Sequence, residues 1–194
     1  KKVKYKDLLE ASKDADIVFF GELHNNPICH WIQFELTRDI YTEKNGDIIL
    51  AAEMFESDNQ LILNEYLEGR ISKKSFESEA RLWPNYKTDY KPLVDFAKDS
   101  SLAFIASNIP RRYASVVYKN GFEGLDDLEA EAKSYIAPLP IEYDAELKGY
   151  KDMLEQMAAM GHANENLPKA QAIKDATMAY SIAESAGNGK TIIH

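Results

Sequence analysis

Ile17-Val18-Phe19-Phe20-Gly21-Glu22-Leu23-His24-Asn25-Asn26-Pro27 is the stretch on which the fold turns. Its four leading residues are β-branched or aromatic and stop at a glycine, the look of a short strand buried on both faces. Asn26 and Pro27 then supply an N-cap and a first-turn proline, so a helix starts there. A strand passing within a few residues into a helix is the opening of a βαβ unit. Ile28, Trp31, Ile32, Leu36 and Ile40 mark that helix at helical spacing, and Asn45-Gly46 closes it. Trp31, Phe34 and Ile40 are expected in the core. Ile48–Ala52 reads as the second strand, running into Glu53-Met54-Phe55-Glu56.

The alternation continues outward from this unit. Short helices are expected over Asp58–Glu68 and Ser72–Ala80, then an aromatic loop over Trp83–Tyr90, then a helix over Lys91–Ser100 with Pro92 in its first turn. Leu102–Ala106 is the third strand, ending in Ser107-Asn108, and Pro110 opens a helix reaching about Lys119. Past the breaks at Pro138 and Pro140, helices are expected over Asp144–Met160 and Pro168–Ala186. Ala172, Ala176, Ala179 and Ala183 give the second of these a small-residue stripe for close packing. Thr191-Ile192-Ile193-His194 has the character of a fourth strand. The expected class is α/β, a mostly parallel sheet flanked by helices, with a helical second half. No repeat or linker divides residues 1–194, which read as a single domain.

In an open parallel sheet the carboxyl ends of all strands lie along one edge, where ligands bind. Each strand here ends on chemistry: Glu22 and His24 after the first, Glu53 after the second, Asn108 and Arg111 after the third, His194 after the fourth. Taken singly, such residues are usually caps or solvated loop groups. Taken together, they suggest a common site. Glu22, His24, Glu53 and His194 are a possible set for a divalent metal that would activate water for hydrolysis, with Arg111 stabilising the developing oxyanion. No serine nucleophile elbow, phosphate-binding glycine loop or His-Glu-x-x-His is present. His30 is placed to face His24 or to serve as a hydrogen-bonded histidine at a helix start. Cys29 reads as a buried small hydrophobe.

Lys plus Arg total 23 against 32 Asp plus Glu, a formal net charge of −9. That field disfavours phosphate backbones and anionic lipid surfaces as partners. A lone cysteine excludes an intrachain disulfide without fixing a compartment. No apolar run reaches the length of a membrane helix. No leader pattern precedes Lys1, so export cannot be read from the chain itself.

Gly21-Glu22-Leu23-His24-Asn25, Glu53-Met54-Phe55-Glu56 and Asn108-Ile109-Pro110-Arg111 together resemble the strand-end motifs of the ChaN-like haem-binding proteins. Ala170–Ala179, with its Gln171, Lys174-Asp175 and Met178-Ala179, is similar to a helix of that family, and Trp83–Tyr90 followed by Lys91-Pro92-Leu93-Val94 also fits. A wider group, including Tiki-type proteases and erythromycin esterases, shares mainly the Gly-Glu-x-His piece. The resemblance implies a haem-binding protein of haem or iron uptake or storage, typically an exported bacterial lipoprotein anchored to a membrane, with an outer-membrane haem receptor as partner. It departs from the family at His194, where members continue, so a missing C-terminal part is expected.

Haem needs an axial donor, an apolar surface for its ring, and polar or basic groups for its propionates. The Asp144–Met160 helix is the candidate wall. It carries Leu147, Tyr150, Leu154 and Met157 on one stripe, Met153 and Met160 beside it, and His162 just beyond. The bland alternative is an amphipathic helix packed on the core, with methionine as gap-filler. Tyr150, Met153, Met157, His162 and Arg111 are the expected haem contacts, with His162 equally able to serve as ligand, propionate partner or helix-end cation. One domain covers one face of so flat a ligand, and a homodimer would cover both. The family likeness favours a carrier over the metal-dependent hydrolase.

Overall fold

A computed structural model describes residues 2–162, 164–187 and 189–194. In chain order it contains α1 (Tyr5–Ser12), β1 (Ile17–Val18), α2 (Pro27–Glu43), β2 (Ile48–Glu56), α3 (Gln60–Leu67), α4 (Lys73–Glu79), α5 (Lys91–Asp99), β3 (Phe104–Asn108), α6 (Arg111–Asn120), α7 (Ala130–Lys133), α8 (Lys148–Ala159), α9 (Asn166–Ser185) and β4 (Thr191–Ile193). The four strands pair in parallel in the order β1-β4-β2-β3, as the apolar runs between helices require. Ile192 sits opposite both Ile17 and Ile49, and Leu50 opposite Phe104, so all four carboxyl ends share one edge.

The two faces of β2 divide the core. Ile48, Leu50, Ala52 and Met54 pack with Leu36 and Ile40 of α2, Leu63 of α3 and Val94 of α5. Ile49 and Ala51 pack on the opposite face with Ile182 of α9 and Ile192. A third cluster joins Ala114 and Val117 of α6 to Ala170 and Ile173 of α9. β2 outruns its expected end at Ala52. Its pairing with β3 shifts register between Ala52 and Glu56, and Glu53 lies inside this irregular stretch. A bulge of this kind re-aims side chains near a sheet edge.

Several expectations fail for identifiable reasons. β1 is an edge strand of two residues, and Phe19 just past it is 69% exposed while Val18 is buried, so the segment is not covered on both faces. Trp31 is 62% exposed and does not join the core. The buried stripe of α2 is His30, Gln33, Leu36, Thr37 and Ile40, which leaves Ile28 and Trp31 on the solvent face. Trp83–Tyr90 is not all loop: Tyr86–Tyr90 form a π-helical turn leading into α5, with both tyrosines buried. Burial raises the pKa of each of their hydroxyls, as it disfavours the phenolate. On α9 the close-packed positions are Ala170, Ala172, Ile173 and Thr177, while Ala179 and Ala183 face solvent. Cys29 is half-buried. The opposite edge strand, β3, is closed by a side chain. The Gln60 amide donates to the Phe104 carbonyl at 2.9 Å and accepts from the Ala106 N–H at 2.7 Å, as a neighbouring strand would.

Candidate haem-binding and strand-end site

Glu22 anchors the strand-end group. Its side chain is only 8% exposed, and a carboxylate so buried requires donors. Oε1 accepts from the Tyr90 hydroxyl at 2.9 Å and lies 2.9 Å from His24 Nδ1. Oε2 has no hydrogen bond, although His30 Nδ1 stands 3.3 Å away. His30 is buried and donates from Nε2 to the His24 carbonyl at 3.0 Å, and Asn85 Nδ2 reaches the same oxygen at 2.8 Å. The backbone of His24 is thus fixed from two sides while its ring, 47% exposed, stands edge-on to Trp83.

The remaining strand-end residues occupy two adjoining clefts that both include His24 and Glu53. Glu22 and His194 line the smaller, of about 300 Å³, while Arg111 lines the larger, of about 920 Å³. His194 Nε2 lies 3.0 Å from the Ser107 hydroxyl, and burial holds the pKa of its imidazole below the ordinary value against an opposing pull from Glu22. Asn108 gives its Nδ2 to the Glu53 carbonyl at 3.0 Å, and its Oδ1 is buried without a donor. Among the described residues no three His, Cys, Asp or Glu side chains stand close enough to share a metal ion. The expected metal set of Glu22, His24, Glu53 and His194 therefore surrounds adjoining cavities without forming a common donor cluster. Glu22 spends its accessible oxygen on Tyr90 and His24.

The α8 region is built differently. This helix starts at Lys148, later than the sequence suggests, and buries none of its residues. It packs chiefly on α9, and none of its residues belongs to a core cluster. Tyr150, Met153, Leu154 and Met157 are half-buried, and Leu147 and Met160 are 53% and 69% exposed. The Tyr150 hydroxyl donates to Asp175 Oδ2 at 2.9 Å, and Gln171 Nε2 donates to Asp175 Oδ1 at 2.8 Å. Burial first, then the Asp175 carboxylate, push the Tyr150 pKa up to about 12. Tyr143 lies against the Tyr150 ring at 5.6 Å between centroids. Gly161 ends the helix at φ +77°, a left-handed cap that lets the His162 N–H reach the Met157 carbonyl at 2.9 Å and leaves His162 exposed.

The sequence model of the family described as haem-binding uptake, Tiki superfamily, ChaN, matches residues 8–194. The chain belongs to that family. ChaN of Campylobacter jejuni, in a structure described as showing cofacial heme binding, superposes with a TM-score of 0.70 at 18% identity, over 100% of this chain and 74% of that one. That likeness establishes a shared fold. Protein RETICULATA-RELATED 5, chloroplastic, of Arabidopsis thaliana is 25% identical over 197 residues, or 95% of this chain. The chain spans 26% of the length of that curated relative. A ChaN-type sheet accounts for the strand-end motifs falling on one edge. His30 was expected near His24 or as a hydrogen-bonded helix-start histidine, and it meets the His24 carbonyl, whereas nothing in the sequence links Tyr90 or Asn85 to Glu22. Tyr90 sits 68 residues further along the chain, and the only hint was the aromatic, polar make-up of its segment.

Proposed function

We propose that this chain binds haem against the half-buried apolar stripe of α8, as a carrier in haem or iron uptake. The observation that carries the proposal is a helix rich in Leu, Tyr and Met that buries none of its residues. Its stripe of Tyr150, Met153, Leu154 and Met157 is half-buried and belongs to no core cluster, so it keeps apolar surface for a flat ligand to cover. The residues fit the ligand: Met153, Leu154 and Met157 offer a soft apolar surface, and Tyr150 offers an oxygen donor held by Asp175. His162, at the exposed end of the same helix, offers a second donor. Bound haem would supply a ferric iron able to take such a donor. Family membership and the cofacial heme binding described for the Campylobacter jejuni protein support the reading. They also support a second copy of the chain covering the far side of the ring. Export, lipid anchoring and delivery by an outer-membrane receptor rest on the family resemblance alone.

Hemin titration of the purified chain tests this. A Soret shift saturating near one haem per chain is expected, with growth in hydrodynamic size. Tyr150→Phe, Met157→Ala or His162→Ala should weaken binding; the exposed His162 should change stability by no more than about 0.5 kcal/mol, and loss of the Tyr150–Asp175 hydrogen bond should cost about 1 kcal/mol. Glu22→Gln and His24→Ala should leave the Soret shift in place. A wild type with no Soret shift, or one abolished only by the Glu22 and His24 substitutions, would defeat the proposal.

A further inference from the structure

The outer edge of β3 opens onto a groove of about 440 Å³, and residues 103–106 of that strand and its approach line it in succession. The groove shares no lining residue with the two strand-end clefts. Gln60 of α3 occupies the edge within it. Its Nε2 donates to the Phe104 carbonyl at 2.9 Å, and its Oε1 accepts from the Ala106 N–H at 2.7 Å. In a parallel ladder one residue makes this same pair of bonds, its N–H meeting one carbonyl and its carbonyl meeting the N–H two residues on. Gln60 therefore holds the place of a single residue of an added strand. Its Nε2 also lies 2.8 Å from Asn64 Oδ1, which gives the amide a second partner on its own helix. Beyond Gln60 the lining includes Tyr135, the partly exposed Tyr180, and Glu184, the one charged residue among the described residues of the groove.

We infer that this groove is a strand-addition site for an extended peptide bearing a lysine or arginine, with Gln60 as the plug that the peptide displaces. Main-chain pairing along β3 supplies the affinity, and the groove's side chains supply the selection. Charge fixes the sign of the occupant. Glu184 stands in the groove without a cation in the lining, and the chain as a whole carries −9, so a basic segment is drawn in and an acidic one repelled. The rings of Tyr135 and Tyr180 suit the same residue, since a basic side chain lays its apolar stem on aromatic surface and its charge against a ring face. Displaced from the edge, the Gln60 amide keeps its bond to Asn64, while the peptide takes over the Phe104 carbonyl and the Ala106 N–H. The exchange leaves no buried polar group without a partner.

Fluorescence anisotropy tests this with a fluorescein-labelled nine-residue peptide of alternating threonine and valine around a central lysine, titrated with the purified chain. One control peptide has a central glutamate. Another carries N-methyl groups on its three central residues, which removes pairing donors and keeps the charge. Wild type should bind the lysine peptide at least about tenfold more tightly than the methylated one, the scale of one or two hydrogen bonds. It should favour lysine over glutamate by about threefold or more, the scale of an exposed charge pair. Glu184→Lys, at an exposed position, should reverse that preference without changing the melting temperature. Gln60→Ala should tighten the lysine peptide by about tenfold, because no plug has to be released. A methylated peptide that binds as tightly as its parent, a preference unchanged in Glu184→Lys, or no binding to wild type would each overturn the assignment. So would a Gln60→Ala chain that doubles its hydrodynamic mass without peptide, since the edge would then belong to a second copy.

Discussion

Glu22 shows how much of a site one residue can disclose. Its place after β1 and its two-residue spacing from His24 are plain in the sequence, and the two side chains do meet at 2.9 Å. Its burial is not plain, because that depends on Tyr90 and His30 arriving from the π-helical turn and from α2. The same holds for His194, whose place at a strand end was legible but whose burial was not. Burial disfavours the imidazolium and lowers the pKa of His194 in the folded chain, while the unfolded residue returns to its ordinary value of 6.5. Between those two values the unfolded chain binds more protons, so stability rises with pH and is lost on acidification below about 6.5. Urea unfolding of wild type and His194→Gln from about pH 7 to about pH 5 should show a shallower loss in the variant. Parallel curves would mean that His194 does not supply the slope.

At the scale of elements, spacing located the helices and strands but not what each one touches. α8 and α9 both have amphipathic or small-residue stripes in the sequence, yet α9 is built into two core clusters and α8 into none. Periodicity reports that a helix has an apolar side and says nothing of what meets it. β2 was legible as a strand but not as one reaching Glu56, since its extension depends on pairing with β3. The closure of β3 by Gln60 is likewise a tertiary fact, with 44 residues separating the amide from the carbonyl it meets. Gln60→Leu keeps the bulk but strands the Phe104 carbonyl and the Ala106 N–H. The expected cost is about 1 to 3 kcal/mol per unsatisfied group, measured by chemical denaturation. A cost within error would show that water replaces the amide without penalty.

For the molecule as a whole, the sheet edge gathers polar groups while Phe19, Leu23, Ile28 and Trp31 stay largely exposed around its β1 side. Because Ile28 and Trp31 lie outside the core clusters, Ile28→Lys and Trp31→Glu should change the free energy of unfolding by no more than about 0.5 kcal/mol. A loss of several kcal/mol on denaturation would show that they pack more tightly than their exposure indicates. The parallel α/β order, the helix start at Asn26-Pro27 and the alignment of Glu22, Asn108 and His194 at strand ends were determined by the sequence alone. These depend on local propensity and on the fixed direction of strands in a parallel sheet. Which stripes are buried, how the strand-end residues divide between two clefts, and that Tyr150 meets Asp175 were decided only by the tertiary structure. Those contacts join residues far apart in the chain, and neither local propensity nor periodicity carries information about them.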